Sequence, residues 1–415
     1  MFSYLSRAEL LLHRINALAA ISEDADGITR TFGTPAFVRG RDLVQGWMAA
    51  AGLATRLDSI GNLRARLSSP NPRAKTLVIG SHIDTVVNAG RFDGPLGVLL
   101  GLAIMEHLQA QNRPLPCHVE LMAFSDEEGV RFHTTYLGSK VVAGTFDESL
   151  LPKRDATGVT LAEALAGMGG DAAQIPHDAL PAAEWLSYFE VHIEQGPVLY
   201  ERHVPVALVT GIAGQHRVEL TWLGMAGHAG TVPMPMRQDA LAAAAEFVLA
   251  AEALARASAG ALVATVGKLE VRQSASNVIP GLVTCSLDLR SADATHLEAA
   301  YHELRAQAEA LATRRRLHLT WSPVQQTAPV ACDRTMNALL AEAIADSGYE
   351  VIPLVSGAGH DAVPISAVAP ATMLFVRCFQ GISHNPLENV EMPDLAAALQ
   401  VAERFVELLL ARQQA

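Results

Sequence analysis

The 415-residue sequence lacks a surplus of basic charge, any paired-cysteine spacing and any long uninterrupted apolar run. A formal net charge of -12 offers no basic face for a phosphate backbone, so no nucleic-acid partner is expected. Four cysteines (Cys117, Cys285, Cys332 and Cys378) stand far apart with no CxxC pair. They read as reduced core residues, not as a disulfide frame or a zinc knuckle. No apolar stretch approaches the roughly 20 residues that span a bilayer, so no membrane partner is expected. The most apolar segment, near 95–105, is broken by Pro95, Gly97 and Gly101 and soon meets Glu106 and His107, so it reads as a buried helix. The N-terminal stretch has neither the basic start nor the small-residue cleavage site of a signal peptide. The expectation is a cytoplasmic protein.

Half of the residues are hydrophobic and 18% are charged, an ordinary balance for a packed chain. The length exceeds one typical core and implies two domains. In the first 200 residues, strand-like runs (TLVIG at 76–80, HVELMAF at 118–124, YFEVHI at 188–193) alternate with helix-like stretches such as 97–111. Helices over 333–347 and 393–412 flank another strand-like run, TMLFVRC, at 372–378. This pattern predicts an α/β domain with a central mixed, partly parallel sheet. The middle of the chain differs. Strands at 216–224, 261–271, 282–290 and 317–321, with an alanine-rich helix and a second helix over 293–313, follow the order βαββαβ. That is a small α+β domain. The predicted division is a larger domain from 1–209 and 328–415 with an insert at 210–327.

Chemistry gathers at the ends of the apolar strands. In GSHIDTVVNAGRFDGPLG (80–97), His82 and Asp84 alternate where the strand gives out, the position at which open α/β sheets place their sites. Asp93 precedes Gly94 and Pro95; taken alone, it reads equally well as the cap of a helix. HVELMAF runs into Ser125-Asp126-Glu127-Glu128-Gly129, which alone is a common solvated turn. YFEVHIEQGP places Glu190, His192 and Glu194 on one face, so a glutamate is expected to orient the imidazole through its second ring nitrogen. His384 follows TMLFVRC in a glycine-containing loop. Together these mixed His and carboxylate strand ends suit Zn²⁺ or Mn²⁺, and an acid such as Asp93 can bridge two ions about 3.5–4 Å apart. A glutamate next to a ligating glutamate is placed to act as a general base.

HIDT with FDGPLGV, SDEEG, HIEQGP and ISHNP resemble the M20 metallopeptidase-like superfamily over nearly the whole chain. The similarity is to its amidase branch, which includes N-carbamoyl-L-amino-acid hydrolases, β-ureidopropionases and allantoate amidohydrolases. The resemblance implies two divalent ions, Zn²⁺ or Mn²⁺, held by His82, Asp93, Glu128, His192 and His384. Asp93 would be the bridge, Glu127 the base and Asp84 the acid supporting His82. His192 stands where the superfamily's peptidases usually carry an acid. The insert would be a lid and dimerisation domain, giving a homodimer. Within it Gln215, Asn277 and Arg290 match substrate contacts, and His228 matches the residue that stabilises the tetrahedral intermediate. Gln195 in HIEQGP, with Gly359 and His360 in SGAGHD, is expected to bind substrate at the pocket, and His216 needs no role.

The implied substrate is a small ureido compound bearing a carboxylate, and the implied reaction hydrolyses its carbamoyl C–N bond. SDEEGVRF, TTYLGS and MLFVRCFQGISHNP look most like the allantoate enzymes. N-carbamoyl-L-amino-acid hydrolase and β-ureidopropionase activities stand as the close alternatives. A dipeptidase or aminopeptidase of the same superfamily is a more remote alternative; a binding protein without metals is remote too, because all five ligand positions and the base are intact.

Overall fold

The computed structural model describes residues 3–414 and divides into two compact units, Met1–Thr210 with Cys332–Ala415 and Gly211–Ala331. In the first unit the sheet runs Ala54–Leu57, Leu63–Leu67, His118–Phe124, Thr76–His82, Trp185–Ile193, Ala371–Val376, Val206–Ile212. The four strands in the middle of this order are mutually parallel, and the flanking ones are antiparallel. The sheet is therefore mixed, as expected. Thr76–His82, His118–Phe124 and Ala371–Val376 are buried at every position, which explains why they read as continuous apolar runs instead of alternating ones. Two polar positions in these runs, Glu120 and His118, are paired. Glu120 accepts from Arg64 Nε at 2.6 Å, and His118 Nδ1 accepts from the Ser69 backbone at 3.0 Å.

Helix Pro95–Ala110 makes the crossover from Thr76–His82 to His118–Phe124, and all but four of its side chains are buried. It packs with Tyr4–Ala19 and Met392–Arg412, so chain ends far apart in sequence share one layer. Arg30 is also enclosed here. Its guanidinium donates to the carbonyls of Ile83 (2.8 Å), Leu18 and Ile21 (both 3.1 Å), tying the end of the first helix to the segment beside His82. All four cysteines are buried and free. No described helix is long and apolar enough to cross a membrane.

The second unit contains a five-stranded antiparallel sheet in which Leu282–Ser291 pairs with Gly214–Leu223, and Gly214–Leu223 pairs with His318–Thr327. Strict alternation of buried and open positions gives Gly214–Leu223 one apolar face, carrying Val218, Leu220 and Trp222. Helices Ala240–Ala257 and Ala294–Arg315 cover it with Phe247, Leu304 and a row of alanines. The continuous strand expected over 261–271 is corrected to two pieces, Val263–Thr265 and Leu269–Arg272. Thr265 faces Asp288 and Leu269 faces Cys285, so one strand spends four steps where its partner spends three. The extra residue is accommodated as a bulge, where Lys268 N donates to Ser286 Oγ at 3.1 Å.

The start of helix Pro95–Ala110 decides what Asp93 can do. The N-cap is Gly94, at φ 81°, and no side chain caps the helix. A Cβ on Gly94 would overlap the His82 imidazole. Asp93 is thereby left free of the capping role and turns elsewhere. Gly94→Ala should destabilise the fold by more than about 1 kcal/mol and displace His82, because both the left-handed backbone and the ring exclude a methyl group. An unchanged denaturation midpoint would show that the loop relaxes at no cost.

Candidate metal centre

The parallel strands end side by side, and their C-terminal ends bring the candidate ligands together. His82 ends one strand, His192 lies one residue before the end of its neighbour, and Glu127 and Glu128 follow the third. Asp93 sits on the loop after His82, and His384 on the loop after Ala371–Val376. Nε2 of His82 and of His192 lie 3.5 and 3.2 Å from Asp93 Oδ1. Nε2 of His384 lies 3.2 Å from Asp93 Oδ2 and 3.4 Å from Glu128 Oε1. Among the described residues, three groups of donor atoms converge within 4.8 Å: His82, Asp93, His192; Asp93, Glu128, His384; and His82, Glu127, Glu128. Asp93 belongs to the first two through different oxygens.

The imidazoles are preset for ligation. His82 Nδ1 donates to the Asp84 carbonyl at 3.1 Å, and His192 Nδ1 to the Ile193 carbonyl at 3.0 Å. A carbonyl only accepts, so Nδ1 carries a proton in each ring, and Nε2, the nitrogen left for a metal, faces Asp93. The expected glutamate partner for His192 is thus corrected. Glu190 instead accepts from Ser81 Oγ, Tyr188 OH and the Ala362 backbone, and Glu194 accepts from the backbone of Val198 and Leu199. Each period-two neighbour found a closer donor than the ring. Asp84 does more than support His82, whose Nδ1 lies 3.4 Å from its Oδ1. Its two oxygens accept the backbone N–H groups of Glu127 (3.0 Å) and Glu128 (3.1 Å), fixing that turn on the strand beside it.

The electrostatics describe a place that calls for positive charge. Burial acts to lower the pKa of His82 and His192, yet Asp84 and Asp93 beside the first, and Asp93 beside the second, raise both above the usual value. Asp93 and Glu128 push His384 up to about 10. Burial acts to raise Asp93, but the three histidines hold it well below the ordinary carboxylate range. Glu127 is raised well above that range by burial and by Glu128. Imidazole nitrogens and carboxylate oxygens in this proportion are the donor set of a divalent transition metal, and the residues present fit one.

Gln195 spends its amide on Asp93 Oδ2, at 2.7 Å, and comes within 3.4 Å of His384 Nε2. His360 is buried edge-on against the His192 ring, with centroids 4.5 Å apart, and its Nε2 pairs with Ser356 Oγ at 2.7 Å. A side chain on Gly359 would overlap the Tyr136 hydroxyl. The remaining candidates are in the second unit. Gln215 stands opposite Arg290 across paired strands, and the Arg290 guanidinium holds Asp288 at 2.7 and 2.8 Å. His228 and Asn277 flank one another, since Ala229 N donates to the Asn277 carbonyl at 2.9 Å. His216, assigned no role, is buried with Nε2 3.0 Å from Glu298.

Two residues beside Asp93 were missed by sequence reasoning. Ser383 Oγ lies 2.7 Å from Asp93 Oδ2, and buried Glu388 takes the backbone N–H groups of Phe92 (2.7 Å) and Asp93 (3.1 Å). Both lie within the stretch that carries His384, but nothing in their spacing pointed at residues some 295 positions earlier.

The profile of peptidase family M20/M25/M40 matches residues 78–408. The chain belongs to this family. Among relatives of this M20 chain, allantoate deiminase 1 of Glycine max is 39% identical, over 95% of this chain and 88% of the relative. The N-carbamoyl-L-amino acid amidohydrolase of Geobacillus stearothermophilus is also 39% identical, over 95% and 97%. The solved amidase of the hydantoinase/carbamoylase family from Burkholderia multivorans superposes with a TM-score of 0.91 at 33% identity, covering 98% of both chains. The M20 resemblance and the mixed α/β class read from the sequence are borne out.

Loading a divalent metal should release protons, because it competes for nitrogens that the acidic surroundings keep protonated. Calorimetric titrations of the metal-free protein near pH 7, in buffers of different ionisation enthalpy, should show at least about one proton released per protein. Heats that do not vary with buffer would contradict this charge assignment.

Proposed function

We propose that this M20 chain is a cytoplasmic amidohydrolase with two divalent ions, Zn²⁺ or Mn²⁺, that cleaves the carbamoyl C–N bond of a small ureido compound carrying a carboxylate. The observation behind it is the convergence of His82, Asp93, Glu128, His192 and His384 at the C-terminal ends of the central strands, with Glu127 beside them. His82 and His192 with one oxygen of Asp93 would hold one ion, and Glu128 and His384 with the other oxygen would hold the second. Bound there, divalent ions supply Lewis acidity, which lowers the pKa of water and polarises a carbonyl.

The chain's own residues supply the rest. Glu127, whose carboxyl is driven toward proton binding by burial, takes a proton from the attacking water and returns it to the departing nitrogen. Asp84 holds the backbone of Glu127 and Glu128, keeping base and ligand in register. The second unit, Gly211–Ala331, is assigned the substrate contacts Gln215, Asn277 and Arg290, the oxyanion histidine His228 and the homodimer contact. A guanidinium suits a substrate carboxylate because it offers paired, charge-assisted hydrogen bonds. His360 and Gln195 act on the ligands they touch, His192 in one case and Asp93 in the other.

Allantoate is the preferred substrate, from the motifs shared with the allantoate enzymes. N-carbamoyl-L-amino acids are the second reading, because the two relatives of those activities are equally identical to this chain. A panel of allantoate, N-carbamoyl-β-alanine and N-carbamoyl-L-amino acids, assayed for ammonia with each metal separately, decides between them. Turnover of dipeptides in preference to all of these would overturn the proposal. Glu127→Gln should keep its metal while turnover falls by about 10²-fold or more. Metal lost along with activity would make Glu127 a ligand instead. Arg290→Ala should raise KM for the carboxylate substrate by about 10–100-fold, the value of one charged hydrogen-bonded contact, with a smaller effect on kcat. An unchanged KM would remove Arg290 from the pocket.

A further inference from the structure

The loop that carries Asp93 and the loop that carries His384 interlock residue by residue. Gly90 lies so close to Glu388 that a Cβ there would overlap its carboxyl group. Arg91 Nη2 donates to Asn389 Oδ1 at 2.9 Å. Glu388 Oε1 accepts the N–H groups of Phe92 and Asp93 at 2.7 and 3.1 Å. Ser383 Oγ lies 2.7 Å from Asp93 Oδ2 and 3.1 Å from Glu388 Oε2. One segment therefore grips the backbone of Asp93 with Glu388 and its carboxylate with Ser383, while His384 stands between these two residues in the chain.

The grip falls on one half of the centre. Asp93 Oδ1 faces His82 and His192, which are 1% and 2% exposed and are anchored by strand ends. Asp93 Oδ2 faces His384, whose side chain is 47% exposed and whose backbone is left-handed, at φ 54°. No strand fixes His384. The distance from Asp93 Oδ2 to His384 Nε2 thus depends on what holds the two loops together.

We propose that Glu388, acting through Ser383 and the Phe92–Asp93 backbone, is a positioning residue for the Asp93, Glu128 and His384 group, and that it sets the affinity of that group for its metal without touching the ion. The proposal rests on reading Asp93, Glu128 and His384 as ligands. Hydrogen bonds one step removed from a metal characteristically govern its affinity by about 10–100-fold.

The test titrates Zn²⁺ against a competing chelator in the full-length metal-free protein and its variants. Wild type should bind two equivalents; no binding at all would refute the ligand reading, and the role of Glu388 with it, before any variant is compared. Glu388→Ala should weaken one equivalent by about tenfold or more and leave the other unchanged. Ser383→Ala, which deletes only a hydroxyl, should weaken the same equivalent, and it carries the test if Glu388→Ala does not fold. Glu388→Gln keeps an oxygen for the two N–H groups and an amide facing Ser383, so it should recover most of the lost affinity. Adding Glu388→Ala to His384→Ala should leave the one remaining equivalent as it was. Glu403→Ala, which breaks the distant, partly buried pair with Arg7, should lower thermal stability without altering either equivalent. Both equivalents weakening together, or neither weakening in Glu388→Ala and Ser383→Ala, would overturn the proposal.

Discussion

Asp93 is the carboxylate on which the arrangement of this centre turns. It is buried among three imidazoles, with one oxygen toward His82 and His192 and the other toward His384. Charge at such a depth is costly unless it is matched. Here the match comes from nitrogens on three separate segments, and each segment must arrive at a fixed place. The parallel order of the central strands delivers His82 and His192 on neighbouring strands, and Gly94 removes the side chain that would stand in the His82 ring's place. The same glycine takes over the helix N-cap, so the carboxylate of Asp93 is not spent on the helix.

Around this carboxylate lies a layer of acids whose partners are mostly backbone or hydroxyl donors. Asp84 holds two consecutive N–H groups of the acidic turn, Glu190 holds Tyr188, Ser81 and an N–H of the 362 segment, and Glu388 holds the Asp93 loop. Each such acid stitches one ligand-bearing segment to another, so the ligands reach position without relying on mobile surface contacts. Burial raises the proton affinity of Glu127, Glu190 and Glu388, and at Glu127 and Glu388 a neighbouring carboxylate adds to it. Glu127 is the member of this group that also lies among the candidate ligand atoms.

Substrate choice rests on different ground from the reaction class. One relative named for allantoate and one named for N-carbamoyl amino acids are each 39% identical to this chain over 95% of it. A scaffold common to several substrates leaves discrimination to a few pocket side chains. In this chain the candidates for that task lie on the second unit, where Gln215 and Arg290 form a cross-strand pair and His228 adjoins Asn277.

The family, the mixed α/β class and the five candidate ligands were legible in the sequence, because a metal accepts few residue types and apolar strands end visibly where polar residues begin. His82, His192 and the acidic turn each stood at such an end. The supporting contacts were not legible. A carboxylate that accepts from backbone N–H leaves no mark on its partner, since every non-proline residue offers that group. Glu388 could therefore be tied to Phe92 and Asp93 only by the fold, and the glutamates expected to orient His192 proved to be engaged elsewhere. The bulge between Val263–Thr265 and Leu269–Arg272 was hidden for a related reason, since register belongs to a pair of strands and not to one. The sequence by itself determined which residues could carry the chemistry; the tertiary structure decided which oxygen of Asp93 faces which histidine, because that depends on the meeting of loops almost three hundred residues apart.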